Sequence, residues 1–336
     1  MKVTIPGKLY IAGEYGVIDG GHAILAPVRR SMHFDIRKSH EDTIASKQIG
    51  VVKPSQAKVP VTIFAPYAKA LEFIKAKNIL KKPFTLIIQS ELDTPGFKLG
   101  LGSSGAVITG IIKSILAFHG VKVTPIELFK LSVLTQYDIS KHTSFGDLSV
   151  HAYGTWVLYR KFDTDWLRNH RKDSIDLLVG RPWKGLKIYP FTPEAFHGFA
   201  VNSMVPSSSA SLVHAYRTRL TNQEKDKVRR FTDKKTLAFY ESMKSRPNWR
   251  HLQDIHEYLR EVSNKKHLSI VTPALDYIVD SLTRLKGFSK FSGAGGGDCV
   301  IAFFDSSSTC LQAKHHFIDS TYPIIEIGGV KHEQER

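Results

Sequence analysis

Along the first forty positions apolar and polar residues alternate with a period of two, the rhythm of a half-buried strand. Lys2–Tyr10 reads as one strand, Ala12–Ile18 as a second, and Ala23–Ile36 as a third beyond the Asp19-Gly-Gly turn. The polar stretch Lys38–Lys58 has no clear period. From Pro66 the spacing becomes helical, running to about Lys77 with Ala70, Leu71 and Ile74 inward. Phe84–Gln89 is a strong strand that leads through Pro95-Gly96 into a glycine-rich loop, and Ala106–Phe118, apolar nearly all round, predicts a buried helix. Thr124-Pro-Ile-Glu127 has the spacing of a capping box with proline at the first helical position, so a helix should run from there to about Tyr137. Ser140–Asp147 reads as a loop and Val150–Arg160 as a strand. Residues 163–195, polar and rich in breakers, read as the join between two halves. The second half has a strand at Phe199–Met204, then helices at Ser211–Leu220, Asp226–Lys244, Trp249–Asn264 and Pro273–Lys286. A strand at Cys299–Phe304, a helix at Ser308–Asp319 and a strand at Ile324–Ile327 complete it.

The 336 residues suffice for two domains, which at this size bury about 75% of the unfolded surface. No apolar run reaches the ~20 residues that cross a bilayer, and the start lacks the apolar stretch of a signal peptide. Two cysteines, Cys299 and Cys310, exclude a disulfide framework and a cysteine-rich zinc site. A soluble cytoplasmic protein is expected. Charge changes the picture more. Forty-seven Lys and Arg against 31 Asp and Glu leave +16, a balance that suits nucleic acid, a membrane surface or small polyanions. The densest basic run, Lys225–Lys235, contains interspersed acids and reads as a solvated helix face, and no nucleic-acid module is present. The histidines are scattered without a His-Glu-x-x-His motif, so a histidine-bound catalytic metal is not expected.

Candidate chemistry centres on Lys98-Leu-Gly-Leu-Gly-Ser-Ser-Gly-Ala106. A helix that begins beyond such a loop offers unpaired N–H groups and a partial positive charge to phosphate, and glycines let an anion approach. The spacing is not that of a Walker loop, a dinucleotide fingerprint or a hydrolase elbow. A second cluster, Ser292-Gly-Ala-Gly-Gly-Gly-Asp298, precedes an apolar strand; so many small residues suit a ligand or a second loop pressed against them. Pro6-Gly-Lys8 and Gly13-Glu14-Tyr15 place a lysine and an acid among apolar neighbours, and Ser144-Phe-Gly-Asp147 puts an acid after a loop glycine.

Taken in order, Pro6-Gly-Lys8 with Gly13-Glu14, then Gly100–Gly105, then Gly293–Asp298 resemble the motifs of the GHMP kinase superfamily, ATP-dependent kinases of small metabolites, over residues 1 to about 330. Within it the chain is most similar to the bacterial phosphomevalonate kinases. Tyr15 stands where mevalonate kinases usually carry histidine, Asp298 where they usually carry glycine, and Ser144–Ser149 is similar to the loop of the phosphomevalonate group. The resemblance implies an α+β fold of two subdomains, 1–190 and 191–336, with the active site in the cleft between them. It implies that Gly100, Leu101, Gly102, Ser103, Ser104, Gly105 and Ala106 wrap the phosphates of ATP, with Ser104 at a magnesium ion. Lys8 and Asp147 would be the catalytic pair facing the transferred group. Lys98 and Ser144 would help to hold it and the acceptor phosphate, with Ser209, Gly295 and Gly296 contacting substrate. Relatives usually show Gly-Trp-Thr shortly before the serines, whereas this chain reads Val201-Asn-Ser203.

The implied reaction is transfer of the ATP γ-phosphoryl group to 5-phosphomevalonate. Its partners are small molecules, with neither nucleic acid nor membrane involved and a homodimer left open. Mevalonate kinase, or another small-metabolite kinase, is the alternative in the same fold. A basic nucleic-acid-binding protein is the alternative from another class.

Overall fold

The computed structural model describes residues 1–56, 58–94, 97–140, 143–318 and 320–329, so the expected Pro95-Gly96 bend lies outside the described residues. The first half is built on β1 (Lys2–Ala12) and the long β2 (His22–Lys38), paired antiparallel. Buried and exposed positions alternate along the start of β1, as a strand with one wet face requires. The expected second strand over Ala12–Ile18 does not form. Gly13 and Tyr15 both take left-handed φ (90° and 62°), which ends β1 and leads into a 3-10 turn at Gly16–Asp19.

The uncharacterised polar stretch supplies β3 (Thr43–Ser46) and β4 (Gly50–Val52). Next come α1 (Val61–Ala76) and β5 (Phe84–Ser90), which pairs with β2 and, in parallel, with β3. α1 begins five residues before the expected start, with Pro66 inside it at the cost of one backbone bond. The two-residue strands β6 (Asp93–Thr94) and β7 (Phe97–Lys98) pair with each other and lead to α2 (Ser103–Phe118). α3 (Pro125–Ile139) has the expected capping box, formed by Thr124 and Glu127.

Val150–Arg160, read as one strand, is divided by Gly154 in a left-handed turn. α4 (Gly146–Tyr153) precedes it and β8 (Trp156–Arg160) follows. The stretch expected to be a join is mostly structured, as α5 (Thr164–His170), α6 (Ile175–Gly180) and β9 (Lys187–Phe191). β9 extends the first sheet by pairing with β8, which pairs with β2, so only residues 192–196 connect the sheets.

The second half holds β10 (His197–Asn202), α7 (Ser209–Arg219), α8 (Asn222–Ser242), α9 (Arg250–Lys266) and α10 (Pro273–Arg284). It continues with β11 (Phe288–Phe291), β12 (Cys299–Phe304), α11 (Ser307–Ile318) and β13 (Ile324–Glu326). The four strands form an antiparallel sheet in the order β11-β12-β10-β13. The sequence reading did not anticipate β11.

Several contacts hold the halves together. The end of the chain returns to the first sheet through a bridge between Val28 and Ile327, and the Trp156 indole N–H donates to the Gly328 carbonyl (2.8 Å). Nearer the cleft, Ser292 Oγ accepts from Tyr10 N–H (3.0 Å) and donates to the Tyr10 carbonyl (2.8 Å). Among the described residues no helix is long and apolar enough to cross a membrane.

Candidate active site

α2 begins three residues before its expected start, so Ser103 and Ser104 lie in its first turn, with Gly102 capping it in a left-handed conformation. The N–H groups of that turn have no partner within the helix, and the helix dipole adds positive potential there. They face a cavity of about 730 Å³. Gly100 is also left-handed (φ 72°), and a Cβ there would fall 2.5 Å from Asp298 Cγ, so the loop needs glycine at this position to lie against that carboxyl.

Lys8 reaches the loop from β1. A break in register between Pro6 and Lys8 lets the strand turn there. The Lys8 N–H donates to the Leu101 carbonyl (2.9 Å) and its Nζ to the Gly100 carbonyl (3.1 Å). Backbone and side chain are thus both fixed on the glycine-rich loop. An ammonium has three protons, and Gly100 takes one.

Across the loop, α4 delivers Asp147 in its first turn. Its cap, Phe145, is fully buried with φ 59°, a strained setting for a bulky residue. Packing holds it: its ring lies 5.4 Å from that of Phe162, and Lys161 Nζ lies 5.3 Å from it. One turn along α4, His151 is buried with Nδ1 2.9 Å from the Pro6 carbonyl and Nε2 3.1 Å from that of Gly102. This ring couples the strand bearing Lys8 to the start of α2. Burial pushes its pKa down, and the neighbouring Asp147 pulls it back. Ser144 is oriented from two sides, by Tyr10 (hydroxyl to hydroxyl, 2.6 Å) and by Tyr159, whose hydroxyl donates to the Ser144 carbonyl (2.8 Å). Burial raises the pKa of both phenols, so they stay protonated.

The facing wall comes from the second half. Asp298 (φ 57°) donates its N–H to the Val205 carbonyl (2.8 Å), and its Oδ1 accepts from Ser207 N–H (3.3 Å). Burial raises its carboxyl pKa, against the opposing charge of Lys8. Glu14, which also lines the cavity, meets Lys290 at 2.5 Å, an ion pair with both side chains buried, and Lys290 also donates to the Phe291 carbonyl.

Of the residues expected at the site, Lys8, Lys98, Gly100, Gly102, Ser103, Ser104, Ser144, Asp147 and Ser209 line the cavity. Leu101 and Ala106 are fully buried in the core under the loop, and Gly105 lies beneath Asp147. Gly295 and Gly296 are not among the lining residues. A Cβ on Gly295 would fall 2.1 Å from the Ile270 carbonyl, to which Gly296 N–H donates (2.6 Å). The Ile270 segment presses on Gly295 and the Leu212 side chain of α7 on Gly296, while Gly293 and Ala294 of the same cluster reach the cavity.

Tyr10, His151, Lys290 and Arg217 were not singled out from sequence. Tyr10 lies two residues beyond Lys8 on the strand and His151 four beyond Asp147 on a helix, spacings that share a face. Reading Val150 onward as strand hid the second relation.

A sequence profile described as "GHMP kinases N terminal domain" matches residues 66–155, and one described as "GHMP kinases C terminal" matches 242–319. The chain belongs to the GHMP kinase family. The N-terminal match contains the first glycine-rich loop and Asp147, and the C-terminal match contains Lys290 and the second glycine cluster. Among GHMP kinase relatives, "Phosphomevalonate kinase" of Streptomyces sp. (strain CL190) is 28% identical over 335 residues, covering 90% of each chain. "Mevalonate kinase" of Methanocaldococcus jannaschii is 24% identical, covering 90% of this chain and 91% of the relative. Streptococcus pneumoniae phosphomevalonate kinase, solved in complex with phosphomevalonate and AMPPNP, superposes with a TM-score of 0.88 at 24% identity. That match covers 98% of this chain and 100% of the solved one, and it shows the shared fold.

Proposed function

We propose that this GHMP kinase transfers the γ-phosphoryl group of ATP to 5-phosphomevalonate, giving ADP and 5-diphosphomevalonate. The observation that carries the reading is the convergence of the Lys8 ammonium and the N-terminus of α2 on one cavity, with Ser144 and Asp147 on its border. Phosphoryl transfer asks the protein for position and charge more than for covalent chemistry. A phosphomonoester has a second pKa near ~6 and is mostly dianionic at neutral pH, so its oxygen needs no base. The obstacle is bringing one polyanion to another. Lys8, Lys98 and the α2 N–H groups supply the positive potential that lowers it. Asp147 orients Lys8 or the nucleotide's metal instead of removing a proton.

Magnesium accompanies ATP in this reading. Ser104 and Asp147 offer oxygen donors from two elements, the kind of sparse set that Mg²⁺ accepts beside phosphate oxygens and water. When bound, the ion neutralises phosphate charge. Residues 1–190 supply the phosphate loop and catalytic pair, and residues 191–336 supply Ser209 and the wall behind Asp298.

Relatives named for two activities make mevalonate the specific competitor. Steady-state assays of ADP release with each acceptor, at saturating MgATP, test the proposal. Turnover of phosphomevalonate with a kcat/KM at least about 100-fold above that for mevalonate is expected. The reverse preference would transfer the assignment to the alcohol kinase.

A further inference from the structure

The glycine-rich loop that opens α2 is gripped from the opposite half by one amide side chain. Asn202 is the last residue of β10, which lies between β12 and β13 in the second sheet. Its backbone is fixed there, paired with Cys299 of β12 and donating its N–H to the Pro323 carbonyl (2.9 Å). The side chain is fully buried, yet it crosses the boundary between the halves, because Nδ2 donates to the Leu99 carbonyl (3.0 Å). Oδ1 accepts from Met204 N–H (2.8 Å) and closes the turn that follows β10. Exchanging the amide oxygen and nitrogen would set like against like at both contacts, so the two partners fix its orientation. The Cys299 thiol, kept protonated by burial that pushes its pKa up to about 12, adds a weak bond to the same Leu99 carbonyl (3.5 Å).

Leu99 lies between Lys98 and Gly100, both of which line the cavity. Three successive carbonyls are therefore taken: Leu99 by Asn202, Gly100 by the Lys8 ammonium (3.1 Å) and Leu101 by the Lys8 N–H (2.9 Å). The last two tie the loop to Lys8 within the first half, and the first ties it to the sheet of the second. Glycines give a backbone little stiffness of its own, so the partners of its carbonyls set where it lies. A displaced Leu99 carbonyl turns the adjoining Gly100 peptide, and the ammonium bonded to that peptide moves with it.

We propose that Asn202 is a positioning residue for the transfer. It acts through the Leu99 carbonyl to hold the Gly100 peptide, and with it the Lys8 ammonium, in register with the second half. The inference rests on the role given to Lys8 and holds for either acceptor.

A double-mutant cycle on the full chain tests it, with ADP release followed at saturating MgATP and whichever of phosphomevalonate and mevalonate the enzyme prefers. Asn202→Ala removes the donor to Leu99, and its kcat should fall about 10- to 100-fold, the effect of a misplacement near 1 Å. Asn202 touches neither reactant in this account, so the KM values should change much less than kcat. In a Lys8→Met background the same substitution should cost less than about twofold, because the group it displaces is gone. Packing alone would give an equal loss in both backgrounds, and that result would overturn the proposal. A folded Asn202→Ala enzyme with kcat within about twofold of wild type, or with its loss confined to KM, would overturn it as well. Should that variant not fold, Asn202→Asp keeps an oxygen for Met204 N–H while losing the amide donor, and it enters the same cycle under the same criteria. Wild-type kcat in Lys8→Met alone would overturn the role of Lys8 and this inference with it.

Discussion

Gly105 allows the effect of catalytic geometry to be separated from the effect of stability. It lies in the first turn of α2, where alanine ordinarily favours a helix by about 1 kcal/mol. A Cβ at this position would lie 2.7 Å from Asp147 Oδ2, and 3.0 and 3.1 Å from Cδ2 and Nε2 of His151. Since ordinary contact begins near 3.4 Å, the carboxylate must withdraw by roughly 0.7 Å. That oxygen ends a side chain that can rotate, so the fold absorbs the change cheaply. The His151 ring, held by two carbonyls, yields by only a few tenths of an ångström. Gly105→Ala should therefore unfold in urea within about 1 kcal/mol of wild type. Activity should respond differently, because a displacement of about 1 Å in a positioned group costs on the order of 100-fold. A fall in kcat of about 10- to 100-fold at saturating substrates is expected. In an Asp147→Asn background the same substitution should cost much less, since the displaced group is already altered. A Gly105→Ala enzyme with kcat within about twofold of wild type would refute the role given to the placement of Asp147.

Other substitutions and a pH series probe separate parts of the site. Lys8→Met removes the ammonium fixed at Gly100 and should lower kcat by about 100- to 1000-fold, with much smaller effects from exposed lysines. Lys290→Met leaves Glu14 buried without its cation and should cost about 3–5 kcal/mol, read as a lower urea midpoint. For Lys161, whose buried ammonium faces Arg217, Asp19, the Thr143 carbonyl and the Phe145 ring, the proton is held below about pH 8 and lost above it. Because that ammonium holds the carbonyl of the lining residue Thr143, the KM for the acceptor should stay level up to about pH 8 and rise beyond it, while the KM for ATP does not follow. Lys161→Gln should abolish that rise.

What the sequence revealed, and what it hid, has physical causes. The glycine loop that opens α2 was legible because an apolar helix must begin just beyond it, and α3 was legible because Thr124 and Glu127 satisfy its first donors locally. Local rules failed where the site overrides them. Tyr15, Phe145 and Asp298 occupy left-handed backbone that their side chains disfavour, held by packing from distant segments. Phe145 is the origin of the misread strand, since the turn it forms starts α4 and places Asp147 and His151 on one face.

Lys290 and Glu14 are 276 positions apart, and only the pairing of the two halves reveals why either charge is buried. At Gly295 and Gly296 close approach leaves the same signature in sequence whether the visitor is a substrate or protein, and in the structure Ile270 and Leu212 press on them. The overall charge of +16 was the least specific signal, because the site needs only a few of those cations.

The central claim is that two phosphates are brought together beside Lys8, and phosphorus NMR of the reaction mixture observes that event directly. With purified protein, MgATP and 5-phosphomevalonate, the phosphomonoester resonance should vanish in step with the γ-phosphate of ATP. A pair of coupled diphosphate-ester signals should replace it. Persistence of the monoester resonance while ATP is consumed would contradict the account.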